Sequence, residues 1–338
     1  MGLSLSSLGL GTYLGAEDAK TDAGYEASVR VALGTGVNVF DSAINYRGQR
    51  SERAIGRALA GAFGEGLAKR DEVFVSTKGG FLPHDAEDPR PPRRWVQEEL
   101  VATGLAPPDS VAQDCHCMTP AYLRDQIARS RENLGLETID LYYLHNPETQ
   151  LGAVDRAEFR RRLQAAAETL EAEAAAGRIA AWGAATWEGL RVPPDHPDHL
   201  SLEVLREVAD EAGGAGHHFR AVQFPTNLGM TQSVVYRSQP IAGRRMPALE
   251  ACSALGLAAF GSVPLLQGRA ARIDFPDAVA EAFPEAETSL LQALQFARSA
   301  PGVTAALVGV SDPGHAAEDF GLSRVPPAPA ARVLDLFV

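Results

Sequence analysis

Eight short apolar runs, nearly all separated by a segment of helical periodicity, set the strongest limit on how this chain can fold. The runs are Leu8 to Tyr13, Val37 to Phe40, Glu72 to Lys78, Ile139 to His145, Ile179 to Trp182, Phe219 to Phe224, Leu257 to Phe260 and Val303 to Val308. They are continuously apolar rather than alternating, as in strands buried on both faces of a parallel sheet. The segments between them carry helix punctuation. Asp22 to Leu33 has apolar residues at helical spacing and is stopped at Gly34-Thr35-Gly36. Ser51 heads a helix to Leu59, and Thr119 with Pro120 opens one that runs through Asn133 to Gly135. Asp155 to Ala176, Leu200 to Ala212, Met246 to Ala254, Ser289 to Ala300 and Pro313 to Phe320 complete the set. Eight such units close into a (β/α)8 TIM barrel of the α/β class. The competitor, an open doubly wound sheet, lacks a Gly-x-Gly-x-x-Gly between its first strand and helix. No linker divides residues 1–338, so a single domain is expected.

One segment breaks the alternation. Gly79 to Met118, after the third strand, is long, irregular and rich in proline, with a short helix expected over Trp95 to Val101. A loop of this size is usually a lid or a binding loop. It contains Cys115-His116-Cys117, which lacks a second ligand pair at zinc-site spacing and reads as ordinary loop and core residues. Three cysteines in all fit a reducing cytosol better than a disulfide framework. A net charge of -12 argues against a nucleic-acid or membrane-surface binder, and Gly243-Arg244-Arg245 reads as a solvated loop. The N-terminus has no basic start followed by an apolar run, so no signal peptide is expected. Oligomeric state is not legible.

Barrel active sites lie at the C-terminal ends of the strands. Three consecutive strands lead there to a polar residue, Asp41, Lys78 and His145, and Tyr46 follows just past the second. A free phenol titrates near ~10, so it exchanges protons poorly at neutral pH unless assisted. A neighbouring ammonium stabilises the phenolate and is expected to lower that value; a carboxylate beside the lysine fixes it in place. Histidine can orient a substrate oxygen. The set suits proton transfer to a carbonyl oxygen and needs a bound hydride donor. Singly, each has a plainer reading: a rim ion pair, a loop aromatic, a satisfied histidine. Their joint placement favours an active site.

Asp41-x-Ala43-x-x-Tyr46, Ser76-Thr77-Lys78, Arg129-Ser130-Arg131-Glu132-Asn133-Leu134-Gly135-Leu136 and Asp140-Leu141-Tyr142-x-Leu144-His145 occur in that order. Together they resemble the aldo-keto reductases, and the likeness runs from Leu8 to about Phe320. The resemblance implies a (β/α)8 barrel that binds NADP(H), or less often NAD(H), at its C-terminal rim and reduces aldehydes and ketones. It assigns Tyr46 as general acid, Lys78 and Asp41 as its tuning pair, and His145 as the group orienting the carbonyl. It implies cofactor contacts at Gly11, Thr12, Asp41, Thr186 and Gln223. Further contacts are implied at Leu265, Gln267 and Gly268, then at Gly309, Ser311 and His315, and at Glu318 and Asp319 near the adenine. Tyr13, Phe81 and Trp187 are expected to bound the substrate, with Leu82 and Trp95 as further candidates.

Several positions depart from the family pattern. Gly183-Ala184-Ala185-Thr186 replaces a Gly-Val-Ser-Asn strand end, Ser262 stands where an aromatic stacks on nicotinamide, and within Gly309 to His315, after the eighth strand, only His315 could supply positive charge. Only Met1 to Ser7 are left to plug the barrel bottom. Two other functions fit the same residues: a cofactor-binding sensor barrel with little turnover, and a barrel lyase or isomerase without net redox.

Overall fold

The computed structural model describes residues 3–338. Eight parallel strands close a barrel: β1 (Leu8–Gly11), β2 (Val39–Asp41), β3 (Phe74–Gly79), β4 (Leu141–His145), β5 (Trp182–Ala185), β6 (Phe219–Pro225), β9 (Ala258–Ser262) and β10 (Val303–Gly309). Their order around the barrel is β1-β10-β9-β6-β5-β4-β3-β2, so the chain winds once round and β10 closes on β1. The remaining strands, β7 (Gln239–Ile241) and β8 (Arg244–Met246), form an antiparallel hairpin outside the barrel. The expected helix from Met246 begins at Ala248, because Arg244 to Met246 pair with β7. Arg244 and Arg245 are exposed on this hairpin.

Two layers of apolar packing result. Inside the barrel, Val39, Phe74, Leu141, Tyr143, Phe260 and Leu307 form one cluster, with the Phe74 and Phe260 rings stacked 5.8 Å apart. A larger cluster lies between the strands and the surrounding helices. The N-terminal segment covers the lower end: Leu3 and Leu5 pack against the inner cluster. Asn38 clasps that segment, accepting from the Ser6 N–H at 2.9 Å and donating to the Ser4 carbonyl at 3.0 Å. Met1 and Gly2, part of the expected plug, lie outside the described residues.

Helix ends follow their caps where side chains supply them. Thr119 accepts from the Tyr122 N–H and Pro120 opens the helix Pro120–Leu134, which Gly135 ends at φ 65°. The first helix starts earlier than expected, at Ala19, because Asp18 rather than Asp22 is its cap. Asp22 is instead buried in the helix, paired with Arg47 at 2.6 Å and Arg50 at 2.7 Å. The expected Ser51 cap is also corrected: the helix Arg50–Gly64 has Gln49 in the left-handed region before it, and the Ser51 hydroxyl donates to the Thr12 carbonyl. The fifth strand moves too. Ile179 makes an isolated bridge to Ile139, and the ladder proper is Trp182–Ala185. Gly183 is required there, since a Cβ would sit 2.3 Å from the Ala221 carbonyl oxygen and 2.9 Å from the Tyr143 ring. Among the described residues no helix is long and apolar enough to cross a membrane.

Candidate active site

Parallel pairing puts the chemical groups on common levels at the C-terminal rim. Gly11 pairs with Gly309 on one side and Asp41 on the other. His145 pairs with Ala185, which pairs with Gln223. A cavity of about 490 Å³ opens at this end.

Asp41 is the hub. Its Oδ2 receives the Lys78 ammonium at 2.5 Å, and its Oδ1 accepts from Ser76 Oγ at 2.7 Å and Gln223 Nε2 at 3.0 Å. Lys78 is fully buried and also donates to the Ser42 carbonyl at 2.7 Å. Burial lowers the Lys78 pKa while Asp41 opposes the shift. The ammonium lies 4.9 Å from the centre of the Tyr46 ring. His145 meets the same ring edge-on, 5.8 Å between centroids, and Tyr13 packs on it at 5.0 Å. Tyr46, Lys78, Asp41 and His145 are therefore gathered as expected.

Their electrostatics differ from the expectation in one respect. Burial, followed by the Asp41 carboxylate and Tyr13, holds the Tyr46 hydroxyl well above its ordinary pKa. The Lys78 charge, already paired with Asp41 at contact distance, does not outweigh these effects. Tyr46 is thus a protonated phenol at neutral pH. His145 is held well below the usual imidazole range by burial and then by Lys78 and His116, so it is neutral.

The cavity wall includes Gly11, Thr12, Asp41, Thr186 and Gln223, and further round Leu265, Gln267, Gly268 and Gly309. Tyr13, Phe81 and Trp187 line it as well, with Tyr13 and Trp187 exposed. Leu82 and Trp95 do not line it: both pack on the core, and Trp95 lies under the Arg129 guanidinium. Ser311, His315, Glu318 and Asp319 stand apart from the cavity too. The last three ride on the helix Pro313–Gly321, which packs against Ala19–Gly34. Asp319 is buried, and burial followed by Glu318 pushes its carboxyl up to about 7.

Three buried polar atoms at the cavity wall have no protein partner: Thr186 Oγ1, Asn45 Oδ1 and His145 Nδ1. Such atoms are costly unless something bonds them. They fit the amide and carbonyl groups of a nicotinamide and its substrate. The segment 263–268 adds a backbone feature, with Val263, Leu266, Gln267 and Gly268 all in the left-handed region. Strain of this kind collects at ligand clamps, and such turns expose backbone N–H groups to anions such as a pyrophosphate.

Sequence reasoning passed over Asn45, Asn146 and Glu148, and took His116 for an ordinary loop or core residue. Asn45 lies inside the Asp41-to-Tyr46 motif, which was the available signal. Glu148 is buried behind the rim, where its Oε1 accepts from the Trp187 N–H at 2.8 Å and the Glu188 N–H at 3.3 Å. It thereby holds the loop that carries Trp187, and burial raises its carboxyl to about 7. Cys115, Cys117 and Cys252 are free thiols. Both nitrogens of His116 are engaged by protein groups, which leaves neither for a metal.

Comparison with known proteins agrees with the fold. The Aldo/keto reductase family model matches residues 7–192. A D-threo-aldose 1-dehydrogenase from Pseudomonas sp is 33% identical over 122 residues, 36% of this chain and 33% of that protein. Prostaglandin F synthase 1 of Bos taurus is 26% identical over 140 residues, 41% of this chain and 31% of its own length. The matched segments thus span about a third of these curated relatives. Among solved structures, an aldo-keto reductase from Klebsiella pneumoniae in complex with NADPH superposes with a TM-score of 0.62 at 19% identity, covering 98% of this chain and 91% of that one. The holo form of aldo-keto reductase AKR11C1 from Bacillus halodurans gives 0.62 at 17% identity, covering 98% and 92%. With more than half its length matched by the family model and the strand order of a closed eight-stranded barrel, the chain belongs to the aldo/keto reductase family.

Proposed function

We propose that the protein is a reductase of small aldehydes or ketones, running reversibly to the alcohol, with NADP(H) as its cofactor and NAD(H) as the rival. One observation carries this reading: a protonated phenol and a neutral histidine face one cavity, with a lysine buried against the phenol ring and clamped by aspartate. The cofactor, when bound, supplies the hydride. Thr186 and Gln223 offer a hydroxyl and an amide for its carboxamide, and the turn 263–268 offers backbone N–H groups for its pyrophosphate.

The remaining chemistry belongs to this chain. Neutral His145 hydrogen-bonds the carbonyl oxygen and orients it. Tyr46 gives its hydroxyl proton to that oxygen as the carbonyl carbon gains the hydride, so the product is an alcohol and Tyr46 becomes a phenolate. The phenolate forms beside the Lys78 ammonium, which Asp41 keeps in place. Before the proton moves, burial holds Tyr46 as a donor; after it moves, Lys78 offsets the new charge. Oxidation of the alcohol runs the same transfers backwards.

The reading extends to one barrel domain over the whole chain, acting in the cytosol on a small molecule. The cofactor assignment is supported by the similar Klebsiella pneumoniae aldo-keto reductase structures, which are complexes with NADPH and with NADP. Fluorescence titration with NADPH and NADH, followed by turnover of generic aldehydes, tests the reading. Tyr46→Phe is expected to bind cofactor as the parent does and to lose turnover by about 10²–10⁴-fold, the usual contribution of a positioned proton donor. Near-normal turnover in that variant refutes the assignment.

A further inference from the structure

We infer that His116, carried by the long segment after β3, is a positioning residue for His145, set by a one-way chain of hydrogen bonds that starts at Arg162. The inference rests on the reductase reading for the role of His145, and its test separates the two.

The direction of the chain is forced link by link. Arg162 has donors only, and its Nη1 lies 2.7 Å from Gln150 Oε1. That contact fixes which end of the Gln150 amide is oxygen. The amide nitrogen is then left to donate, and it reaches His116 Nδ1 at 2.8 Å and the His116 carbonyl at 3.0 Å. Nδ1 must accept, so the proton of this neutral imidazole sits on Nε2. His116 Nε2–H donates in turn to the His145 carbonyl at 2.7 Å. The guanidinium charge at the origin strengthens the first link and polarises those after it. Gln150 is fully buried and His116 nearly so, which leaves water little access to compete.

The site of attachment explains the need. The β3–β4 ladder ends with Gly79 opposite Leu144, so β3 offers no later pairing residue to His145. Beyond His145 the chain turns sharply, with Asn146 in the left-handed region and Pro147 following. The imidazole of His116 takes the hydrogen-bonding place that β3 vacates. Gly80 makes room: a Cβ there would sit 2.7 Å from both His116 Nε2 and the His145 oxygen. The segment is clasped at this point, since the Cys117 N–H donates to the Gly80 carbonyl at 2.8 Å and the Leu82 N–H to the Cys115 carbonyl at 2.7 Å. Phe81 stands edge-on to both imidazoles, 5.4 Å from His116 and 5.0 Å from His145. Backbone and ring of His145 are therefore both braced by the long segment.

Two variants separate the hydrogen bond from the shape. His116→Phe keeps a flat ring without the donor; His116→Gln keeps an amide donor near the Nε2 position without the ring. Each is measured for kcat and KM on an aldehyde, for NADPH Kd by fluorescence, for melting temperature, and for the ¹⁵N signals of the His145 ring, assigned by their loss in His145→Asn. The expected result is a fall of about 10–100-fold in kcat for His116→Phe, the scale of a small misplacement of an orienting group. NADPH Kd should hold and the His145 signals should shift or broaden, while His116→Gln recovers most of kcat and the parental signals. Parental kcat and His145 signals in His116→Phe overturn the inference, as does a His116→Gln variant that falls as far as His116→Phe. The NMR readout needs no turnover, so a parent protein that reduces no carbonyl refutes the proposed function while the His145 signals still decide this inference. If His116→Phe does not fold, Gln150→Met, which frees the His116 tautomer, is read the same way: severalfold loss of kcat at constant Kd supports the chain, and no loss overturns it.

Discussion

Replacing Lys78 by methionine, and Asp41 by asparagine, tests whether the ion pair at the hub is held by its own charges or by the barrel around it. Lys78→Met leaves the Asp41 carboxylate in the interior with two neutral donors, Ser76 and Gln223. Removing one partner of a buried pair costs about 3–5 kcal/mol, and these two donors place the expected loss near the lower end. Asp41→Asn strands the ammonium, which retains the Ser42 carbonyl. A stranded lysine can escape by losing its proton. From the ordinary value of 10.5, neutralising it at pH 7 costs about 5 kcal/mol, which caps the loss. That cap falls by about 1.4 kcal/mol per pH unit, so the Asp41→Asn defect should shrink between pH 7 and pH 9. The double variant has no unpaired charge and should lose about 2–3 kcal/mol less than the sum of the single ones. Urea unfolding followed by circular dichroism at both pH values measures all four proteins. Additive losses, or an Asp41→Asn defect independent of pH, refute the picture of two mutually dependent buried charges.

Other outcomes are expected from neighbouring groups. The Glu148 carboxyl is lifted from 4.5 to about 7 by burial, so the folded state holds its proton where the unfolded state has released it. Its contribution is complete below about pH 4.5 and is lost as pH rises through 7; by linkage it is on the order of 3 kcal/mol. Asp319, also raised to about 7, adds to the same slope. Glu148→Gln should therefore flatten the decline of melting temperature between pH 5 and pH 8, and an unchanged slope would remove Glu148 as a source. Thr186→Val deletes a hydroxyl that no protein group satisfies. Cofactor Kd should rise about fivefold, the value of a hydrogen bond worth about 1 kcal/mol, with no loss of thermal stability. Equal Kd in the fluorescence titration would exclude Thr186 from the carboxamide contact.

What could be read from the chain depended on whether the signal lay in local chemistry or in a distant contact. Thr119, Pro120 and Gly135 mark their helix because cap and stop act within a turn of it. The start at Arg50 carries no such mark: Gln49 offers no cap, and Ser51 spends its hydroxyl on Thr12, far away in sequence. The strand Trp182–Ala185 shows in the family resemblance but not in the apolar pattern, for a related reason. Gly-Ala-Ala has little strand propensity of its own, and its conformation is imposed by β4 and β6, with Gly183 dictated by the Ala221 carbonyl and the Tyr143 ring. The β7–β8 hairpin turns on Ala242 and Gly243, both at positive φ, where alanine gives no warning of a turn that normally selects asparagine.

The same division runs through the site. Asp41, Lys78 and His145 were legible because a closed parallel barrel brings strand ends together whatever else varies. The protonation of Tyr46 was not, since it turns on a competition between burial and a charge already committed to Asp41. His116 was least legible. Between two cysteines it reads as metal chemistry that fails for want of ligands, and nothing near it in sequence names its partners. Gln150 and Arg162 come from beyond β4, and His145 meets it only once Gly80 has let the segment fold back. A residue whose role is to complete another strand's ladder can be seen only when both strands are in place. The longest irregular stretch of the chain, which looks like an accessory lid, is therefore built into the support of the histidine at the centre of the proposed chemistry.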